Sequence, residues 1–246
     1  MGPFGGRARW GRPVLIVAHG AGVATLTLDR PEVGNALGPA LVEALLAETT
    51  RVLQDEALHT LVFRATGKHF CTGLDLSGLE SLSDGDLLLR LVRIETLLAM
   101  LWHAPLRTVA VAQGRAWGAG ADLFAACEQR VAAPGTVFRF PGAQFGIVLG
   151  TRRLAERIGV DAARRLVLEG GELDTAQARA AGLVDVVGTA PALAEPVVLG
   201  PTAQAIRAAS RANLQDADLA ALVRSAAAPG LKERITRYRE RQLARR

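Results

Sequence analysis

Two short segments place glycine beside residues that can bind or move protons. Residues 69–76 read His69-Phe70-Cys71-Thr72-Gly73-Leu74-Asp75-Leu76, and residues 114–123 read Gly114-Arg115-Ala116-Trp117-Gly118-Ala119-Gly120-Ala121-Asp122-Leu123. Glycine lets a ligand approach main-chain N–H groups closely. Two such donors converging on one carbonyl oxygen would stabilise the negative charge that develops there. Asp122 adds a carboxylate that could transfer a proton if it comes within hydrogen-bond reach of the substrate, roughly 2.6–3.2 Å. Each feature also has a bland use. Loop glycines make tight turns, and an acid in the first turn of a helix stabilises its dipole by about 0.3–1 kcal/mol.

The surrounding pattern supplies elements to hold these segments. Residues 14–19 (VLIVAH) and 23–29 (VATLTLD) alternate like strands around Gly20-Ala21-Gly22, a hairpin signal. Helical spacing marks 39–55 and 84–102. Residues 60–66 and 107–113 read as strands, each ending where a glycine segment begins. Residues 130–134, 136–140 and 183–187 read as further strands, and the sequence after Gly150 is mostly helical. Strands and helices alternating in this way predict an α/β fold. The Pro- and Gly-rich stretch 188–201 reads as a connector into an all-helical end.

Several chemistries fail on sequence grounds. With only two lysines, no GxxxxGK[ST] phosphate loop is present. GAGADL at 118–123 has Leu123 where a dinucleotide fingerprint needs its third glycine. No GxSxG elbow surrounds a serine. Four scattered histidines and two cysteines make no zinc cluster, so no metal is expected. The cysteine count fits a reducing cytosol. No apolar run reaches the length of a membrane span, and the apolar stretch near the N-terminus reads as two strands, not a signal peptide. Net charge is +5, and residues 231–246 alone carry seven bases against two acids. A basic excess confined to one terminal segment argues against a nucleic-acid-binding coat and for a local anion.

Taken together, the two loops resemble those of the enoyl-CoA hydratase/isomerase (crotonase) family, F-C/S-A-G-A-D-L followed by G-x-A-x-G-G-G-x-E-L. Further matches are Thr27-Leu28-Asp29-Arg30-Pro31-Glu32 with Asn35-Ala36-Leu37, Phe138 to Pro141, Gly150-Thr151-Arg152-Arg153-Leu154, and Ala181-Gly182-Leu183-Val184-Asp185. The resemblance implies an N-terminal extension (1–13), a spiral core of ββα units (14–188) and a helical C-terminal region (189–246) that packs trimers or dimers of trimers. It implies an acyl-CoA thioester substrate, with coenzyme A belonging to that substrate and no permanently bound cofactor. The oxyanion-hole donors fall on the N–H groups of Leu74 and Ala119, and the first catalytic acid on Asp122. Implied substrate or CoA contacts are Arg30, Thr72, Gly73, Asp75, Leu76, Trp117 and Gly118, with Tyr238 and Arg241 of the basic tail as a clamp on the CoA phosphates. A cytoplasmic lyase or isomerase of fatty acid metabolism follows as the expectation.

The departures narrow it. The family's second glutamate maps onto Gly142, and the turn after it is shorter. Asp122 is one methylene shorter than the first glutamate. Efficient hydration is therefore not expected, and a non-catalytic acyl-CoA-binding homologue stands as the alternative. Arg139, beside the missing acid, always carries charge and suits a substrate carboxylate.

Overall fold

The computed structural model describes residues 13–191, 193 and 196–244. Apart from Pro13, the expected N-terminal extension lies outside them, as do Arg245 and Arg246 of the basic tail.

The chain opens with a hairpin, β1 (Leu15–Gly20) and β2 (Val23–Leu28), turned by Ala21 and Gly22, both at positive φ. Two positive-φ residues match the right-handed twist of the strands they join. Helix α1 (Pro39–Gln54) starts on a proline and buries Leu41, Val42, Leu45, Leu46 and Val52 along one stripe. After β3 (Thr60–Ala65) comes α2 (Asp84–Trp102), started by a reciprocal Ser83–Asp86 capping box. The expected boundaries of α2 are those observed.

The centre of the chain alternates between two sheets. Strands β4 (Arg107–Ala112), β6 (Gln129–Ala132) and the two-residue β9 (Val186–Val187) join a six-stranded sheet ordered β1-β2-β3-β4-β6-β9, parallel except at its hairpin. Strands β5 (Arg115–Trp117) and β7 (Val137–Arg139), the next in the chain after each, pair in a second sheet with β8 (Glu172–Asp174). Helix α3 (Ala119–Ala126) follows β5, so each strand pair plus helix makes one ββα turn of a spiral. Sequence reading missed β5 and β8 as strands because three-residue elements leave no periodicity to detect. The strand expected over 183–187 shrinks to β9 (Val186–Val187), because Leu183 and Val184 are buried in the loop after α6 (Thr175–Ala180).

Helices α4 (Thr151–Ile158), α5 (Val160–Glu169), α7 (Gly200–Ala209), α8 (Gln215–Ala226) and α9 (Leu231–Leu243) complete the chain. A main core joins the sheets to α1, α2 and α3. A smaller cluster, including Leu87, Leu91, Leu222, Leu231 and Ile235, seats α8 and α9 on α2.

Candidate active site

The two glycine segments lie side by side. Cys71 bridges Ala116 in parallel fashion, with the Cys71 N–H donating to Arg115 O at 3.2 Å and Trp117 N–H to Cys71 O at 2.9 Å. On its other side the first segment pairs with residues 35–38. Leu37 N–H donates to Gly73 O at 2.8 Å and Asp75 N–H to Leu37 O at 3.2 Å. That pattern turns the Leu74 N–H away from Leu37, and it meets no acceptor among the described residues. Asn35, fully buried, holds the segment from below through Nδ2 to Thr66 O (2.9 Å) and His69 O (2.8 Å).

Gly73 and Gly118 are glycines for a physical reason. A Cβ on Gly73, whose φ is +96°, would sit 2.8 Å from Trp117 O and 3.5 Å from Ala119 N. The segments therefore touch main chain to main chain. Gly118 caps α3 with φ +52°, leaving Ala119 as its first residue. First-turn N–H groups have no partner within their helix, and the Ala119 N–H meets no acceptor elsewhere among the described residues.

Leu74, Ala119 and Asp122 line one cavity with Thr72, Gly73, Leu76, Trp117, Gly118, Gly142 and Tyr238. Its walls are otherwise mostly apolar, with Leu91, Phe140, Phe145, Ile147, Leu149, Leu154, Val167 and Ile235, and it encloses about 100 Å³. The Asp122 carboxylate points at Gly150, where an added Cβ would lie 2.0 Å from Oδ1. Asp122 is 8% exposed, and its carboxylate has no hydrogen-bond partner among the described residues. Burial raises its pKa to about 7; the Arg153 cation opposes that rise and the Glu95 carboxylate adds to it. A carboxyl poised near neutrality can act as either acid or base.

Behind Asp122 lies an ion pair. Arg153 forks onto Glu95, with Nη1 to Oε2 at 2.9 Å, and both residues are 1% exposed. Asp218 approaches the same guanidinium at 3.2 Å. With its charge neutralised this way, Arg153 cannot hold Asp122 ionised against burial. Glu95 escaped notice in the sequence, although an acid on the apolar stripe of α2 must find a partner when buried.

Other expected contacts fall elsewhere. Arg30 and Asp75 pair with each other at 2.9 Å and do not line the cavity. Burial pushes the Asp75 carboxyl up, but hydrogen bonds from Ser77 and the Arg30 guanidinium outweigh it and hold it below the usual range. Arg139 also stands outside the lining, loosely near Gln242 (3.4 Å) and Glu172 (3.8 Å). The Arg241 guanidinium reaches Gln144 O at 3.4 Å. Tyr238, expected at the CoA phosphates, instead packs its ring 5.0 Å from Phe145 in the cavity wall. Cys71 is buried and its thiol pushed up to about 12 by burial, so it carries no thiolate.

The family model for enoyl-CoA hydratase/isomerase matches residues 18–237. The chain belongs to the enoyl-CoA hydratase/isomerase family. The mitochondrial enoyl-CoA hydratase domain-containing protein 2 of Bos taurus is 35% identical over 67% of the chain and 57% of its own length. An enoyl-CoA isomerase/hydratase of Mycosarcoma maydis is likewise 35% identical, over 68% of the chain and 65% of its own. The chain thus spans less than two thirds of either relative. A crystal structure of a Bordetella parapertussis protein named for the enoyl-CoA hydratase/isomerase family superposes with a TM-score of 0.87 at 40% identity, covering 92% of this chain and 98% of that one. The α/β spiral with its parallel sheet is the family's fold. No helix among the described residues is long and apolar enough to cross a membrane, and none of their His, Cys, Asp and Glu side chains cluster as a metal site would.

Proposed function

We propose that this chain binds an acyl-CoA thioester and stabilises its enolate, moving one proton with Asp122. The observation that carries this reading is the juxtaposition in one cavity of two unengaged N–H donors, on Leu74 and Ala119, and an unpaired carboxyl near neutrality. The thioester oxygen would accept from both N–H groups, which strengthen as negative charge grows on it, so the gain falls on the transition state. The ionised Asp122 would take a proton from the α or γ carbon and return it, giving an isomerase or a slow hydratase. The mostly apolar walls of the cavity suit an acyl chain. Coenzyme A enters as part of the substrate, and a homotrimer or dimer of trimers in the cytoplasm belongs to the same reading.

Gly142 at the cavity wall supplies no second acid, which favours the alternative, an acyl-CoA-binding protein without turnover. Incubation with crotonyl-CoA and with a 3-enoyl-CoA, following absorbance of the conjugated thioester, separates the two. Turnover lost in Asp122→Asn supports the enzyme. Tight binding of butyryl-CoA without turnover in the wild type supports the binder.

A further inference from the structure

Among the described side chains lining the cavity, only two can ionise in the protein range, the Asp122 carboxyl and the Tyr238 phenol. Thr72 and Thr151 offer hydroxyls, and Trp117 an indole N–H, that do not. Tyr238 packs on Phe145, the last residue of the turn Pro141–Phe145 that includes Gly142. Its hydroxyl has no hydrogen-bond partner among the described residues. Resting on the enolate reading above, we infer that the Tyr238 hydroxyl is the second proton-handling group of this site, sharing the acyl cavity with Asp122 beside the turn where Gly142 leaves no side chain.

The chain holds this phenol in place from both sides. Arg234 donates to Phe145 O at 3.1 Å and Arg241 to Gln144 O at 3.4 Å, tying α9 to the turn. At the other end of α9, the Leu231 and Lys232 N–H groups donate to the Asp84 carboxylate at 3.1 and 2.8 Å. Burial pushes the phenol above its ordinary value, so it rests protonated, while Arg139 and Arg241 favour the phenolate that forms when it gives its proton away.

Water then adds to a 2-enoyl thioester with both groups taking part. Asp122 takes one proton from water as the oxygen bonds to Cβ. The Cα=Cβ electron pair shifts onto the thioester oxygen, held by the Leu74 and Ala119 N–H groups. The enolate collapses as Tyr238 gives its proton to Cα, and the proton on Asp122 returns through solvent to the phenolate.

The test uses Tyr238→Phe, which keeps the ring on Phe145, beside Asp122→Asn. Crotonyl-CoA hydration and exchange of the α-protons of butyryl-CoA in D2O are measured for each, with melting temperature as a control on folding. The expected result is a kcat for hydration at least tenfold lower in Tyr238→Phe, with KM within twofold and α-proton exchange much less affected, whereas Asp122→Asn loses both. Hydration by Tyr238→Phe within twofold of wild type, or a change in KM alone, overturns the inference and leaves the Asp122 reading standing. Wild type inactive in both assays overturns that reading and this inference with it.

Discussion

In the proposed reading Asp122 moves the proton, and its burial also bears on the stability of the fold. Its folded pKa of about 7 lies above the 3.8 of an unperturbed aspartate, so the native state holds the proton more tightly than the unfolded chain. The sign follows. Asp122 costs no stability below about pH 3.8, stability falls as pH rises from there through about 7, and the full cost is present above. Asp122→Asn is expected to raise stability at pH 8 by on the order of 1–4 kcal/mol and not at pH 3, read by denaturant unfolding. In the enolate reading the same titration makes kcat/KM climb with pH to a plateau, with its midpoint near 7. A profile that falls through that midpoint would mean Asp122 works as the acid. Gly150→Ala carries its own expectation. The new Cβ would press on Oδ1 from 2.0 Å, displacing the carboxyl, and kcat should drop by roughly 10²-fold with KM little changed.

At the scale of elements, the site depends on where α3 begins. Ala119 is its first residue, a position that accepts proline because its N–H has no intrahelical duty. Ala119→Pro should keep helical circular dichroism while removing one oxyanion donor, for a loss of about 10²–10³ in kcat. Retained activity would place the donor elsewhere. Between α2 and α4, the Glu95–Arg153 pair is a different kind of connection. Glu95→Ala leaves the buried Arg153 guanidinium with only Asp218, at 3.2 Å, to offset its charge, and breaking such a pair costs up to about 3–5 kcal/mol. Joint replacement by Leu at 95 and Met at 153 should recover most of that in urea unfolding, because two buried charges leave together. The α2 boundaries, the β1–β2 hairpin and α1 were legible because capping residues, alternation and helical spacing are local signals. Short β5 and β8 were not, since they exist only through pairing with β7.

For the whole molecule, the basic C-terminal segment is tied back onto the body of the chain. Lys232 donates to Glu80 O, Arg239 pairs with Glu80 at 3.0 Å, and Arg234 and Arg241 bind carbonyls beside the cavity. Much of its charge thus docks α9 onto the body and carries Ile235 and Tyr238 into the cavity wall. Asp84→Ala should loosen that docking, seen as faster hydrogen exchange across α9 and weaker butyryl-CoA binding, with β3 and β4 unaffected. By itself the sequence determined the family, the α/β order, the two glycine segments and the absence of a carboxylate at 142, because these depend on residue identity and local spacing. Only the tertiary structure decided that Asp122 is desolvated against Gly150, that Glu95 neutralises Arg153 behind it, that Arg30 and Asp75 bind each other, and that Tyr238 reaches the cavity that Asp122 lines. Each of these depends on groups far apart in the chain coming together where water is excluded, and desolvation and pairing exist only once the fold has closed around them.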